Sequence, residues 1–231
     1  MSVIEEAPQD RRPVQTYVLE YDSGILTDAI RREMRRGGQV YYLHNRVETI
    51  ERCAAGIQMR IPEARVGFAH GKMTEEQLSD VWRQMLDNEI DVLVCTTIIE
   101  TGVDVPNANT LIIENADKFG LSQLHQLRGR VGRSHHKSTC ILISDAQNKE
   151  ALRRLKVLCS TNDGFKIADE DLKLRGPGDF FGNRQHGLPD LKIADLMGDM
   201  PLFKLAQDTA RELLDQDPLL ELNQHSAIAA E

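Results

Sequence analysis

Between residues 14 and 145, short apolar runs alternate with amphipathic stretches, and this alternation is the strongest constraint on the fold. The runs fall at 14–19, 39–43, 64–69, 91–95, 110–113 and 139–144, each too short for a helix and most of them rich in Val, Ile or Leu. Residues 91–95 (DVLVC) are nearly continuously apolar, as in a strand covered on both faces. The spacing predicts helices over 25–36, with Ile25, Ile30 and Met34 on one face, and over 48–59, ended before Pro62. Gly37-Gly38 stops the first of these. Thr74 opens another, because Gln77 stands three residues on, as a capping box requires. A further helix is expected around 121–127. Strands separated by helices imply an α/β fold, a parallel sheet with helices on both faces. Ligands of such sheets bind at loops beyond the carboxyl ends of the strands.

The pattern changes after residue 146. A helix is expected over 149–159 with Leu152, Leu155 and Leu158 inward, and a second over 167–174. The Gly-rich segment RGPGDFFGNRQHG, 175–187, is a loop, and 202–215 is one more helix. The expected organisation is a linker (1–13), an α/β domain (14–145), a helical hairpin with a Gly-rich loop (146–190) and a helical tail (191–231).

Composition narrows the function. The 28 basic and 36 acidic side chains leave a net charge of −8, which argues against coating nucleic acid or anionic membrane by bulk charge. No apolar run approaches the roughly 20 residues of a membrane-spanning helix, and the first dozen residues lack a signal-peptide core. Cys53, Cys95, Cys140 and Cys159 form no C-x-x-C pattern and read as reduced cysteines of a cytoplasmic protein. At about 150 residues per domain, 231 residues are expected to hold one domain with an appendage, or two small ones, rather than a complete two-lobed nucleotide-driven motor.

Residues 67–74 (GFAHGKMT) imitate a phosphate-binding P-loop, but Val66 and Met73 stand where Gly and a hydroxyl residue are required. Residues 167–171 (IADED) imitate a strand ending in metal ligands, but lie in a helical context. No residue of the chain is assigned to a metal. The segment QLHQLRGRVGR, 123–133, is sharper: Gln126, Gly129, Arg130, Gly132 and Arg133 form Q-x-x-G-R-x-G-R. Arg130 and Arg133, three apart, are expected on one helix face. Paired guanidiniums suit the charge of a transferring phosphoryl group, and a solvated basic helix end is the plainer alternative. Between Lys118 and Ser144 no carboxylate occurs, which leaves Lys118, Arg128, Arg130, Arg133 and Lys137 uncompensated in sequence. In residues 94–106 (VCTTIIETGVDVP), Thr96 and Thr97 end a strand and suit phosphate oxygens, while Gly102 allows a turn before Asp104.

In order, Asn45-Arg46 after a strand, His70-Gly71-Lys72-Met73, the Thr-Thr…Glu-Thr-Gly-x-Asp-x-Pro segment and Q-x-x-G-R-x-G-R resemble the second RecA-like domain of superfamily 2 helicases and translocases. The string TTIIETGVDVPNANTLIIENADKFGLSQLHQLRGRVGRS is similar to two bacterial DNA-repair motor families, RecG and the transcription-repair coupling factors. Residues 1–110 look closer to the coupling factors and 139–218 closer to RecG.

The resemblance implies ATP with Mg2+ between two RecA-like lobes, the first of which, bearing the P-loop and the acidic metal motif, is absent from this chain. Arg130 and Arg133 would reach the γ-phosphate, Gln126 would couple the cleft to the moving lobe, and Gly102 and Asp104 would lie at the nucleotide edge. Asn45, Arg46, His70, Gly71, Lys72, Thr96 and Thr97 would contact the DNA backbone. Residues 150–187 would be a translocation motif in which Arg175, Arg184 and Gln185 link the arginines to DNA movement. The implied partners are double-stranded or branched DNA, the P-loop-bearing lobe and, in a full-length context, RNA polymerase; no membrane is implied. The implied process is DNA repair or recombination. Two further readings of the residues stand beside it: a non-enzymatic DNA- or protein-binding module, and a truncated gene fragment.

Overall fold

A computed structural model of the chain describes residues 13–101, 103–134, 136–145, 148–175, 205, 209–211 and 213–217. The chain divides into two compact units, residues 1–174 and 175–231. The first is built on six strands: β1 (Gln15–Leu19), β2 (Gln39–Leu43), β3 (Val66–Ala69), β4 (Val92–Cys95), β5 (Ala108–Ile113) and β6 (Thr139–Ile143). They form one sheet in the order β1-β6-β5-β2-β4-β3, every pair parallel. All six carboxyl ends therefore open on one edge. This is the parallel α/β sheet that the alternation predicts, and the RecA-like architecture that the resemblance implies.

Alternate residues of each strand feed two separate cores. Tyr41, Leu43, Leu93, Cys95, Leu111, Ile113, Cys140 and Leu142 face one core. Val40, Tyr42, Val92, Val94, Ile112, Ile141 and Ile143 face the other. Helices α1 (Ser23–Arg35) and α2 (Ile50–Arg60) cover the second face with Leu26, Ile30, Ile50, Ala54 and Ile57. Helices α3 (Glu75–Leu86), α4 (Leu121–Arg128), α5 (Lys149–Ser160) and α6 (Gly164–Arg175) supply Met85, Leu121, Leu124, Leu127, Leu155, Leu158 and Ile167 to the first.

Local signals explain most helix ends. Thr74 caps α3 with the full reciprocal capping box through Gln77. Asp22 caps α1, accepting from the backbone of Gly24 at 2.8 Å and Ile25 at 3.0 Å. That cap sets the helix phase so that Leu26, Ile30 and Glu33 face inward, while Ile25 is 46% exposed. The expected inward face, Ile25, Ile30 and Met34, is thus corrected at Ile25. On α5 the buried side chains are Ala151, Leu155 and Leu158, with Leu152 only half-buried. A 3₁₀ turn at Val47–Thr49 precedes α2, which begins two residues later than the pattern suggests. The expected helix over 202–215 falls mostly outside the described residues. Among the described residues no helix is long and apolar enough to cross a membrane.

One buried carboxylate ties α1 to the sheet. Glu33, 2% exposed, takes bonds from Arg36 Nε at 2.9 Å and from the hydroxyl of Thr110 in β5. Gly38 lies against it, and a Cβ there would run into the Glu33 carboxylate. Gly38→Ala is expected to displace this network and destabilise the lobe by about 2 kcal/mol, read from urea unfolding midpoints.

Candidate functional site

Helix α4 stops at Arg128, where the Gly129 N–H bonds His125 O at 3.0 Å. The chain continues through turns, with Arg130 N–H to Leu127 O at 2.9 Å and Gly132 in the left-handed region at φ +89°. Arg130 and Arg133 therefore lie in a loop beyond the helix and do not share a helix face as the spacing predicts. The reason is the Gly-x-x-Gly spacing itself, which ends the helix before either arginine. Val131, 1% exposed, anchors the loop between them.

The Arg133 guanidinium meets Asp104 at 3.0 Å and approaches Gly129 O at 3.5 Å. Its Nε is buried and has no hydrogen-bond partner among the described residues. Arg130 is half-buried, and Gln126 is exposed on α4. The Ser134 hydroxyl donates to Asn109 Oδ1. Asn109 is the second residue of β5, so this contact fixes the arginine loop at the amino end of the sheet. The arginine loop thus stands at the amino edge rather than beyond the carboxyl ends, because α4 runs back along the sheet and delivers the loop there.

Two arginines of the basic stretch find partners in space. Arg133 has Asp104, and Arg128, 3% exposed, is a packing arginine. Arg128 Nη1 donates to Leu158 O at 2.6 Å and Thr161 O at 3.0 Å, and Nη2 sits 3.1 Å from His125 Nδ1. Burial pulls its pKa below the usual arginine value. It locks the end of α4 to the end of α5. Ser122 donates to Asp171 of α6, and Asp169 and Glu170 of the same segment pair with Lys173.

The carboxyl edge carries the other candidates. Asn45 and Arg46, after β2, are exposed. Gly71 and Lys72, after β3, are exposed, and His70 stacks on Phe68 with ring centres 6.2 Å apart. Lys72 reaches Glu48 at 3.7 Å, an exposed and weak pair. After β4, Thr96 is buried at 6% exposure, and Thr97 is half-buried at the start of a 3₁₀ turn, Thr97–Thr101. Since β2, β4 and β3 are neighbours, these loops form one strip, stitched by His44 N–H to Cys95 O and Thr96 N–H to Ala69 O. A cavity of about 160 Å³ opens beside it, with His44, Asn45, Arg46, Glu114, Lys118 and Gln123 among its walls. Gly102, Arg184 and Gln185 lie outside the described residues; Arg175 ends α6, and its side chain lies outside them too.

Sequence reasoning missed a polar cluster at this edge. Glu114, after β5, takes the Tyr42 hydroxyl at 2.6 Å and faces His44 Nδ1 at 2.5 Å, while His44 Nε2 meets Thr49 Oγ1 at 2.7 Å. A polar residue directly after each apolar run was the available signal. Burial works to raise Glu114, but hydrogen bonds from His44 and Tyr42 outweigh it and hold the carboxyl below its ordinary 4.5. A carboxyl depressed in the folded state contributes stability above its unfolded pKa and loses it as pH falls through the folded one. Glu114→Gln is therefore expected to be less stable than the parent at neutral pH, with the gap closing below the ordinary 4.5, in urea midpoints measured along the acid limb.

Residues 23–135 match the helicase conserved C-terminal domain, and 161–229 match domain 3, C-terminal, of the ATP-dependent DNA helicase RecG. A solved structure of RecG bound to a three-way DNA junction superposes with a TM-score of 0.68 at 38% identity, covering 85% of this chain and 26% of that one. The parallel sheet and these matches define the class: the chain belongs with the C-terminal RecA-like lobes of superfamily 2 helicases. Within that class it is similar to the transcription-repair-coupling factor of Bacillus subtilis (strain 168), 51% identical over 208 residues, 87% of this chain and 18% of that protein. The corresponding factor of Staphylococcus haemolyticus is 46% identical over the whole chain, which spans 20% of that protein. The chain thus spans about a fifth of the length of these curated relatives.

Proposed function

We propose that this chain is the second motor lobe of an ATP-dependent double-stranded DNA translocase acting in DNA repair or recombination. The observation that carries the reading is the arginine loop. Two guanidiniums stand on a glycine turn, and Arg133 keeps a buried Nε, unpartnered among the described residues, beside its ion pair with Asp104. A buried donor without an acceptor is costly, and an anionic oxygen would satisfy it. The site therefore fits a nucleotide phosphate. Arg130 and Arg133 stabilise charge developing on the transferred phosphoryl group, Asp104 holds Arg133 until then, and Gly102 is assigned with Asp104 to the nucleotide edge. Gln126 carries the cleft's state to α4. The lobe opposite supplies the P-loop, and magnesium, when bound there with ATP, neutralises charge between the phosphates.

The strip of Asn45, Arg46, His70, Gly71, Lys72 and Thr97 serves the DNA backbone. Thr96, being buried, acts through its position in the strand end. The hairpin and loop over 146–190, with Arg175, Arg184 and Gln185, transmit movement between the arginine loop and DNA. In a longer protein the same lobe works on branched DNA, in keeping with the three-way junction bound by the RecG relative, or beside RNA polymerase.

The experiment pairs the chain with a P-loop-bearing lobe from a relative. Hydrolysis stimulated by DNA is expected from the pair and negligible from the chain alone; ordinary turnover by the isolated chain overturns the reading. DNA binding separates it from a passive binding module. Arg46→Ala with Lys72→Ala is expected to weaken binding about tenfold and to reduce the salt slope by about one for each phosphate no longer neutralised, while Arg133→Ala spares binding. Equal weakening in both variants favours the passive module.

A further inference from the structure

His44, Cys53 and Glu114 come from three different elements, the end of β2, helix α2 and the end of β5, and converge at one point. One ligand atom of each lies within 4.8 Å of the other two. All three are half-buried rather than solvated. We propose that they bind a thiophilic, borderline divalent cation of the zinc class.

Three features carry this. The donor set, one imidazole nitrogen, one thiolate and one carboxylate oxygen, suits zinc or cobalt rather than magnesium or calcium, which prefer oxygen alone. The outer partners of a metal site are already in place. Thr49 Oγ1 bonds His44 Nε2 at 2.7 Å and so leaves Nδ1 directed at Glu114, and the Tyr42 hydroxyl donates to the other carboxylate oxygen at 2.6 Å. A cavity opens beside two of the three donors, His44 and Glu114, and gives solvent a path to them. With zinc bonds of about 2.0–2.3 Å, tetrahedral donors stand roughly 3.3–3.8 Å apart, so an ion would enter by opening the His44–Glu114 hydrogen bond while Cys53 closes on it.

Charge balances as well, since a thiolate, a carboxylate and a neutral imidazole offset a dication. In the absence of metal, burial, with Glu114 as the lesser cause, pushes the Cys53 thiol up to about 12. Binding therefore forms the metal–sulfur bond as the thiol releases its proton to solvent, while the neutral His44 ring frees Nδ1 for the ion by carrying its one proton on Nε2, towards Thr49 Oγ1. The bound ion would fasten the loop bearing Asn45 and Arg46 to α2. This inference does not rest on the motor reading, and its test contains neither nucleotide nor DNA.

The test is cobalt titration of the full chain in a Cys159→Ser background, because Cys159 is exposed and would bind metal adventitiously. One equivalent is expected to raise a thiolate-to-cobalt charge-transfer band in the near ultraviolet, with proton release at neutral pH, and zinc is expected to displace it. Cys53→Ser is expected to abolish the band with the far-ultraviolet dichroism unchanged. Thr49→Val is expected to weaken zinc about tenfold or more through the lost ring orientation. No band in the Cys159→Ser protein, or a band that survives Cys53→Ser, overturns the proposal. Absence of the band in the Cys159→Ser protein is decisive even where the Cys53 or Thr49 variant fails to fold.

Discussion

Arg133→Ala is expected to lower DNA-stimulated ATP turnover of the paired lobes on the order of a thousandfold while leaving the fold intact. The side chain is only 27% exposed, but its partner Asp104 is 54% exposed, so the broken pair returns a carboxylate to water rather than burying it. Stability should therefore change little, and the whole effect should fall on the chemical step. Urea unfolding and steady-state ATP turnover measured on the same preparation separate the two. Arg133→Lys is expected to recover little, because an ammonium cannot reproduce the planar donor fork. If Arg133→Ala lowers turnover only in proportion to a fall in stability or DNA affinity, Arg133 is not acting on the phosphoryl group.

The second large effect is one of stability and lies at the end of the preceding helix. Arg128→Ala is expected to destabilise the lobe by about 3 kcal/mol, lowering its thermal midpoint by about 9 °C. The loss has two sources. Leu158 O and Thr161 O are left without the donors that reach them at 2.6 and 3.0 Å, and the buried guanidinium leaves a void between α4 and α5. Arg128→Met keeps most of the volume and removes only the bonds, so its smaller deficit isolates their share. If Arg128→Met matches the parent in urea, packing rather than hydrogen bonding holds α4 to the end of α5.

These two arginines show how far a local pattern reaches. Arg128, Arg130 and Arg133 stand in one basic segment and look alike as letters. Their surroundings depend on partners far along the chain: Leu158 and Thr161, 30 and 33 positions away, for Arg128, and Asp104 for Arg133. The carboxylate-free stretch promised uncompensated charge, yet Asp104 comes from a segment that precedes it. The Ile25 error has the same origin at smaller scale, since the point at which the Asp22 cap starts α1 decides which side chains turn inward.

The strands, their parallel pairing and the buried character of β4 were legible because period and apolar content are local properties that a sheet covered on both faces imposes directly. So was the capping box of α3, which involves residues three apart. The Gly-x-x-Gly spacing marked the arginine loop for the same reason, since glycines end a helix locally. What only the tertiary structure decided was convergence. The arginine loop stands at the amino edge, while the strip proposed to meet DNA stands at the carboxyl edge. Arg128 is a rivet, and His44, Cys53 and Glu114 meet at one point. Each of these depends on the order β1-β6-β5-β2-β4-β3, which brings distant segments side by side through burial shared across the whole sheet. No single stretch of sequence encodes that sharing.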